Sequence, residues 1–142
     1  MDKLKEKIAT AIPDHLVFLD FIAEHGSNRV KIVVDGQQPI DLKTTTQIAR
    51  EVQNSNMLDD MFPNGVQLEV TSPGIDAPLI HPIQFQKNIG RLLRVLLFGE
   101  SEPITLELTD VDTSSFIGKI SSGDLKKFRY DQVESAKVVI QF

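Results

Sequence analysis

The sequence predicts an α+β chain of two small domains: an N-terminal layered domain in the order α-β-β-α-β, residues 1–82, and a C-terminal β-barrel, residues 83–142. Three observations carry this. Helical and strand-like hydrophobic periods alternate up to about residue 81, whereas the remainder holds one short helical stretch and then only short strand-like runs. Between them lies "LEVTSPGIDAPL", Leu68–Leu79, where two prolines and a glycine fall within six residues.

"DKLKEKIATAI" spaces Leu4, Ile8 and Ala11 for one face of a helix that Pro13 ends. "HLVFLDFIAE" and "RVKIVVD" read as a hairpin, with Gly26-Ser27 as a two-residue turn and Val30, Ile32 and Val34 on one face. Asp41 is placed to cap a helix through about Asn56, with Leu42, Thr45, Ile48, Ala49 and Val52 at helical spacing. "MLDDMFPNG" reads as a loop and "VQLEV" as the strand that enters the turn.

At that turn Pro73 presets φ for the first corner, and Gly74 is expected to supply the positive φ of a type II turn at the second. Pro78 biases Ala77 away from the helical region, so the chain leaves on a fixed heading. Beyond it, "HPIQFQKNIG" predicts a short helix with Pro82 at its start and Gly90 as its stop. "RLLRVLLF", "ITLELTDVD", "FIGKIS", "KFRY" and "AKVVIQF" are the barrel strands. Neither an internal repeat nor a low-complexity segment interrupts this order.

Of 142 residues, 41% are hydrophobic and 25% charged, ordinary for a folded chain with a core; length and composition alone allow one domain or two small ones. No apolar run reaches membrane-spanning length, the N-terminus has no apolar signal core, and the absence of cysteine fits a reducing cytosol. The net charge of −5 is uneven: residues 1–81 hold 7 Lys+Arg against 12 Asp+Glu, while residues 82–142 hold 8 of each. Such a chain does not attract nucleic acid through its overall field, so any such contact is local or runs through a basic protein.

Signatures of catalysis are poor, and no enzyme is expected. Ser72 lacks a nucleophile elbow and reads as a turn-capping hydroxyl. His15, His25 and His81 are not at metal-ligand spacing, so neither a metal nor a cofactor is expected. Asp20 with Glu24, and Asp59 with Asp60, read as solvated acidic faces. The local basic patch is "LKKFRY": Lys126, Lys127 and Arg129 could hold phosphate while Phe128 and Tyr130 stack a base, although strand alternation favours Phe128 as core. Arg91 and Arg94 form a weaker second basic candidate.

With these elements in order, the chain resembles the ribosome maturation factor RimP family. The resemblance rests on a strand followed by Glu69, Val70, Thr71, Ser72, Pro73, Gly74, Ile75, Asp76, Ala77, Pro78 and Leu79, and is supported by "RVKIVVD", "IAREV" and the closing "YDQVESAKVVIQF". Arg50 falls where the family tends to carry an arginine. Two positions depart from the pattern: Ala77 replaces a basic residue, and "LKTTTQIA" replaces an acidic-cysteine-serine pattern.

The resemblance implies that the barrel is SH3-like (Sm-like) and that the protein is a cytoplasmic, non-enzymatic assembly factor, expected as a monomer. It implies binding to the free small ribosomal subunit, with the barrel on the basic small-subunit protein numbered twelve and rRNA nearby. The binding or interdomain turn would be Glu69, Ser72, Pro73, Gly74, Asp76 and Pro78, either as a rigid contact or as a hinge that only orients the domains. Arg50, Lys126, Lys127 and Arg129 would touch rRNA or ribosomal protein. The rival reading is an Sm-like or SH3-like RNA-binding regulator with no ribosomal role, binding free RNA with a steep salt slope.

Overall fold

A computed structural model describes residues 2–24, 26–74 and 76–140, with the side chain of Asp2 excluded. The chain divides into two compact units, Met1–Pro73 and Gly74–Phe142. The division falls inside the Ser-Pro-Gly turn, ahead of the sequence-based boundary at residue 82. The reason is local: the amide of Leu79 donates to the carbonyl of Ala136 at 2.8 Å, and its side chain packs on the second core.

In the first unit, helix α1 (Asp2–Thr10) precedes strands β1 (Leu16–Glu24) and β2 (Arg29–Gly36), helix α2 (Leu42–Asn54) and strand β3 (Gln67–Thr71). The sheet order is β1-β2-β3, with β1 antiparallel and β3 parallel to β2. A parallel pair needs a crossover, and α2 supplies it. Asp41 caps α2 by accepting the Thr44 amide at 2.9 Å. Ile48 and Val52, four residues apart, are buried with Ile8 of α1 against Phe21, Val30, Ile32 and Val34, so both helices cover one sheet face.

Two expectations for this unit change. Leu42, read as part of the buried face of α2, is 81% exposed at the helix start. The hairpin register pairs Glu24 with Arg29, so its loop is the four residues 25–28 rather than a two-residue turn. Asn28 takes a left-handed φ of 51° to close that loop, and Ser27 Oγ donates to Glu24 at 3.0 Å; His25 lies outside the described residues. The "MLDDMFPNG" segment is irregular as expected, yet Leu58 and Phe62 are buried in the core, brought one above the other by the Phe62 amide donating to the Leu58 carbonyl at 2.9 Å.

The second unit starts with the short helix α3 (Pro82–Gln86). His81 Nδ1 accepts the Ile83 amide at 3.1 Å, and Gln84 Oε1 accepts the amides of Ile80 and His81, which fixes the chain into the helix. The helix ends four residues before the expected Gly90 stop. Gly90 instead turns the chain, with φ 92°, so that its amide reaches the Leu108 carbonyl at 2.7 Å.

Strands β4 (Leu92–Leu97), β5 (Ile104–Val111), β6 (Ser115–Lys119), β7 (Leu125–Arg129) and β8 (Val133–Val138) follow. They form one antiparallel sheet in the order β7-β6-β5-β4-β8, with register irregularities at Leu108/Asp110 and Leu96/Leu97. A 3₁₀ turn, Tyr130–Gln132, separates β7 from β8. The buried side chains include Leu93, Val95, Leu106, Leu108, Phe116, Phe128 and Ala136, joined by Phe85 from α3. Phe85 stacks on Phe116 at 4.9 Å, and Phe116 on Phe128 at 5.3 Å. Among the described residues no helix is long and apolar enough to cross a membrane.

Candidate interaction surfaces

The type II turn expected at Pro73-Gly74 does not form. Gly74 lies outside the left-handed region, and the hydrogen-bonded turn instead runs from the Gly74 carbonyl to the Ala77 amide at 3.0 Å. Ile75 lies outside the described residues. Glycine is favoured at 74 by space: a Cβ there would sit 3.1 Å from Asp76 Oδ1, a crowded contact, so the missing side chain leaves the carboxylate free to lie back over the turn. Ser72, Gly74, Asp76 and Pro78 are exposed and Pro73 is half-buried.

The turn residues do not converge on one point within either unit. In the first, Glu69 stands in register with Lys31, which is in turn opposite Ile22, on the sheet face away from the helices. Glu24, Arg29 and Gln67 form the adjacent row, and together these side chains line a shallow groove of about 670 Å³. Opposite charges therefore face each other across both strand pairs, the arrangement that stabilises a sheet surface. Ser72 contributes its backbone carbonyl to Thr71 Oγ1 at 3.3 Å. Arg50 is exposed on α2.

In the second unit, Asp76 lines a cleft of about 350 Å³ with Arg94, Lys137, Val138, Val139 and Ile140. Arg94 of β4 and Lys137 of β8 are directly opposed in register. Arg94 was legible as a weaker cation in the sequence. Lys137 was not, because only the β4–β8 register brings it there, and that pairing joins Arg94 to a residue far along the chain with no local signal.

The "LKKFRY" strand is divided by its alternation. Phe128 is 2% exposed and belongs to the core; Tyr130 packs on Phe85 at 5.0 Å and donates its hydroxyl to the Asp112 carbonyl at 2.9 Å. Neither ring is free to stack a base, so this strand offers cations without a stacking platform. Lys126 Nζ lies 5.6 Å from the Phe128 ring centroid, Lys127 is exposed, and Arg129 pairs with Asp131 at 3.3 Å on the surface. In the sheet order, β6 and β5 stand between these residues and Arg94.

Asp20 and Glu24 have structural partners, while Asp59 and Asp60 are exposed. Asp20 accepts the Phe21 amide at 2.8 Å where the β1–β2 register shifts, and Glu24 accepts from Ser27. Among the described residues no group of three or more His, Asp or Glu side chains is arranged to hold a metal ion.

The family model described as RimP N-terminal domain matches residues 5–76, half of the chain. The chain is also similar over its whole length to curated proteins. Ribosome maturation factor RimP of Christiangramia forsetii is 27% identical over 155 aligned residues, covering 100% of this chain and 97% of the relative. Ribosome maturation factor RimP of Flavobacterium psychrophilum is 28% identical over 153, covering 99% and 97%.

Proposed function

The chain belongs to the RimP family of ribosome maturation factors, and from that premise we propose that it assists assembly of the small ribosomal subunit by binding the free subunit in the cytoplasm. The observation that carries this reading is similarity along the full chain, through both units, to relatives named for ribosome maturation. The rival, an RNA-binding regulator without a ribosomal role, is not favoured by those relatives. It is further weakened by the loss of its stacking platform, since Phe128 is core and Tyr130 is tied to Asp112.

The work we assign is binding rather than catalysis. A basic ribosomal protein is the partner that the acidic first part of the chain suits, because opposite charge speeds encounter and fixes orientation more than it adds affinity. The small-subunit protein numbered twelve is the partner we assign to the second unit. We read that unit as an SH3-like barrel; the bulged strands β4 and β5 and the 3₁₀ turn before β8 support strong bending of its sheet.

Cells lacking the gene test this function. Precursor small-subunit rRNA and unjoined small subunits should accumulate, and expression of the chain should reverse both. Normal rRNA processing and subunit joining in the deletion strain would overturn the assignment.

A further inference from the structure

We propose that the cleft between Asp76, Arg94 and Lys137 binds the ribose-phosphate backbone of single-stranded RNA. The choice of RNA as the polyanion rests on the ribosomal reading; the cleft itself rests on the register. Arg94 and Lys137 are Cα partners on antiparallel strands, and both are exposed. Directly opposed like charges lie roughly 5 Å apart at Cβ and repel, so the fold gains nothing by holding them there. Among the described residues neither cation has a carboxylate within ion-pair distance, although Asp76 borders the same cleft. Two neighbouring cations without a bridging anion match the needs of a phosphodiester.

Asp76 then selects among polyanions. Its carboxylate accepts hydrogen bonds and cannot donate them, so next to a bound phosphate it needs a donor on the ligand. Ribose offers one in its 2′-hydroxyl; deoxyribose does not, and the side chains of an acidic peptide bring further acceptors. The turn places this carboxylate, through the Gly74–Ala77 hydrogen bond and the room left by the missing Gly74 side chain. Val139 and Ile140 line the rest of the cleft with apolar surface against which a sugar can pack, while the Val138 side chain turns to the core. Residues 82–142 hold equal numbers of acids and bases, so the cation pair is a local feature and not part of a broad positive field.

The test is fluorescence anisotropy of the full chain with a short labelled single-stranded RNA, DNA of the same sequence, and a glutamate-rich peptide, over a salt series. The wild type should prefer RNA. Arg94→Gln with Lys137→Gln should weaken RNA binding by about tenfold or more and flatten the salt slope by roughly 0.7 per cation lost. Asp76→Asn should tighten binding to both nucleic acids while reducing the preference for RNA. Unchanged RNA affinity in the double variant, or a wild type that takes the peptide in preference to RNA, would overturn the proposal. Sedimentation of the same proteins with small subunits keeps the two ideas apart. Subunit binding by the wild type, with oligonucleotide binding indifferent to all three substitutions, sinks the cleft and leaves the ribosomal reading. Cleft-dependent RNA binding without subunit binding does the reverse.

Discussion

The hydroxyl of Tyr130 donates to the backbone carbonyl of Asp112, eighteen residues earlier, at 2.9 Å. That bond ties the start of the 3₁₀ turn before β8 to the loop that joins β5 to β6, while the ring packs on Phe85 and Phe116. Burial, and next the charge of Asp112, push the phenol up from 10.0 to about 12.

Tyr130 is the sole tyrosine and tryptophan is absent, so phenolate absorbance reports this group alone. The folded protein should titrate near pH 12, and the urea-unfolded chain near 10. Because the folded value is the higher, this contribution to stability is complete below pH 10 and disappears as pH rises through about 12. Tyr130→Phe should remove that component of the alkaline loss. Coincident folded and unfolded titrations would contradict the packing described.

Gly118 lies opposite Leu108 on β5, and a Cβ there would meet Leu106 Cδ1 at 2.5 Å and Cγ at 2.9 Å. Leu106 is buried and cannot swing away into solvent. Gly118→Ala should cost about 1–3 kcal/mol in urea unfolding. Adding Leu106→Val should recover part of the loss, seen as a coupling energy in a double-mutant cycle.

Gly74→Ala and Gly123→Ala should separate two kinds of glycine. At Gly74 the backbone is outside the left-handed region and the crowded atom belongs to the exposed Asp76, so alanine should change stability by less than about 1 kcal/mol. Gly123 has φ 91° in the turn between β6 and β7, and alanine there should cost about 1–2 kcal/mol. Equal effects in thermal unfolding would contradict the assignment of the turn at Gly74.

Asp41 should act as a pH-dependent cap. The side-chain hydrogen bond from Thr44, followed by that from its backbone amide, lowers the carboxyl from its ordinary 3.8. Its stabilisation is therefore present above pH 3.8 and is lost as pH falls through the lower folded value. Asp41→Ala should lower the melting temperature at neutral pH, and the difference from wild type should shrink below pH 3.8. Asp41→Asn, which retains a capping oxygen, should fall between them.

The elements with strong local signals were legible: Asp41 at the start of α2, Pro82 at the start of α3, and the alternation of Val30, Ile32 and Val34. What escaped depends on non-local geometry. Leu58 and Phe62 sit in a stretch without regular period, yet the space beneath them belongs to the core. Gly74 read as a positive-φ residue because Pro-Gly favours that turn, whereas its backbone lies outside the left-handed region and the turn closes from Gly74 to Ala77. Strand alternation alone leaves Phe128 as core or stacking ring, and its contacts with Phe116 and Lys126 decide for the core. The pairing of Arg94 with Lys137 follows from register, which composition does not encode.

The ribosomal assignment is tested most directly by co-sedimentation of the purified chain with free small subunits, assembled ribosomes and bare rRNA, at low and moderate salt. Retention on free small subunits that survives moderate salt, with none on assembled ribosomes, is the predicted result. Binding confined to bare rRNA and lost as salt rises, or no binding to any of the three, would contradict it.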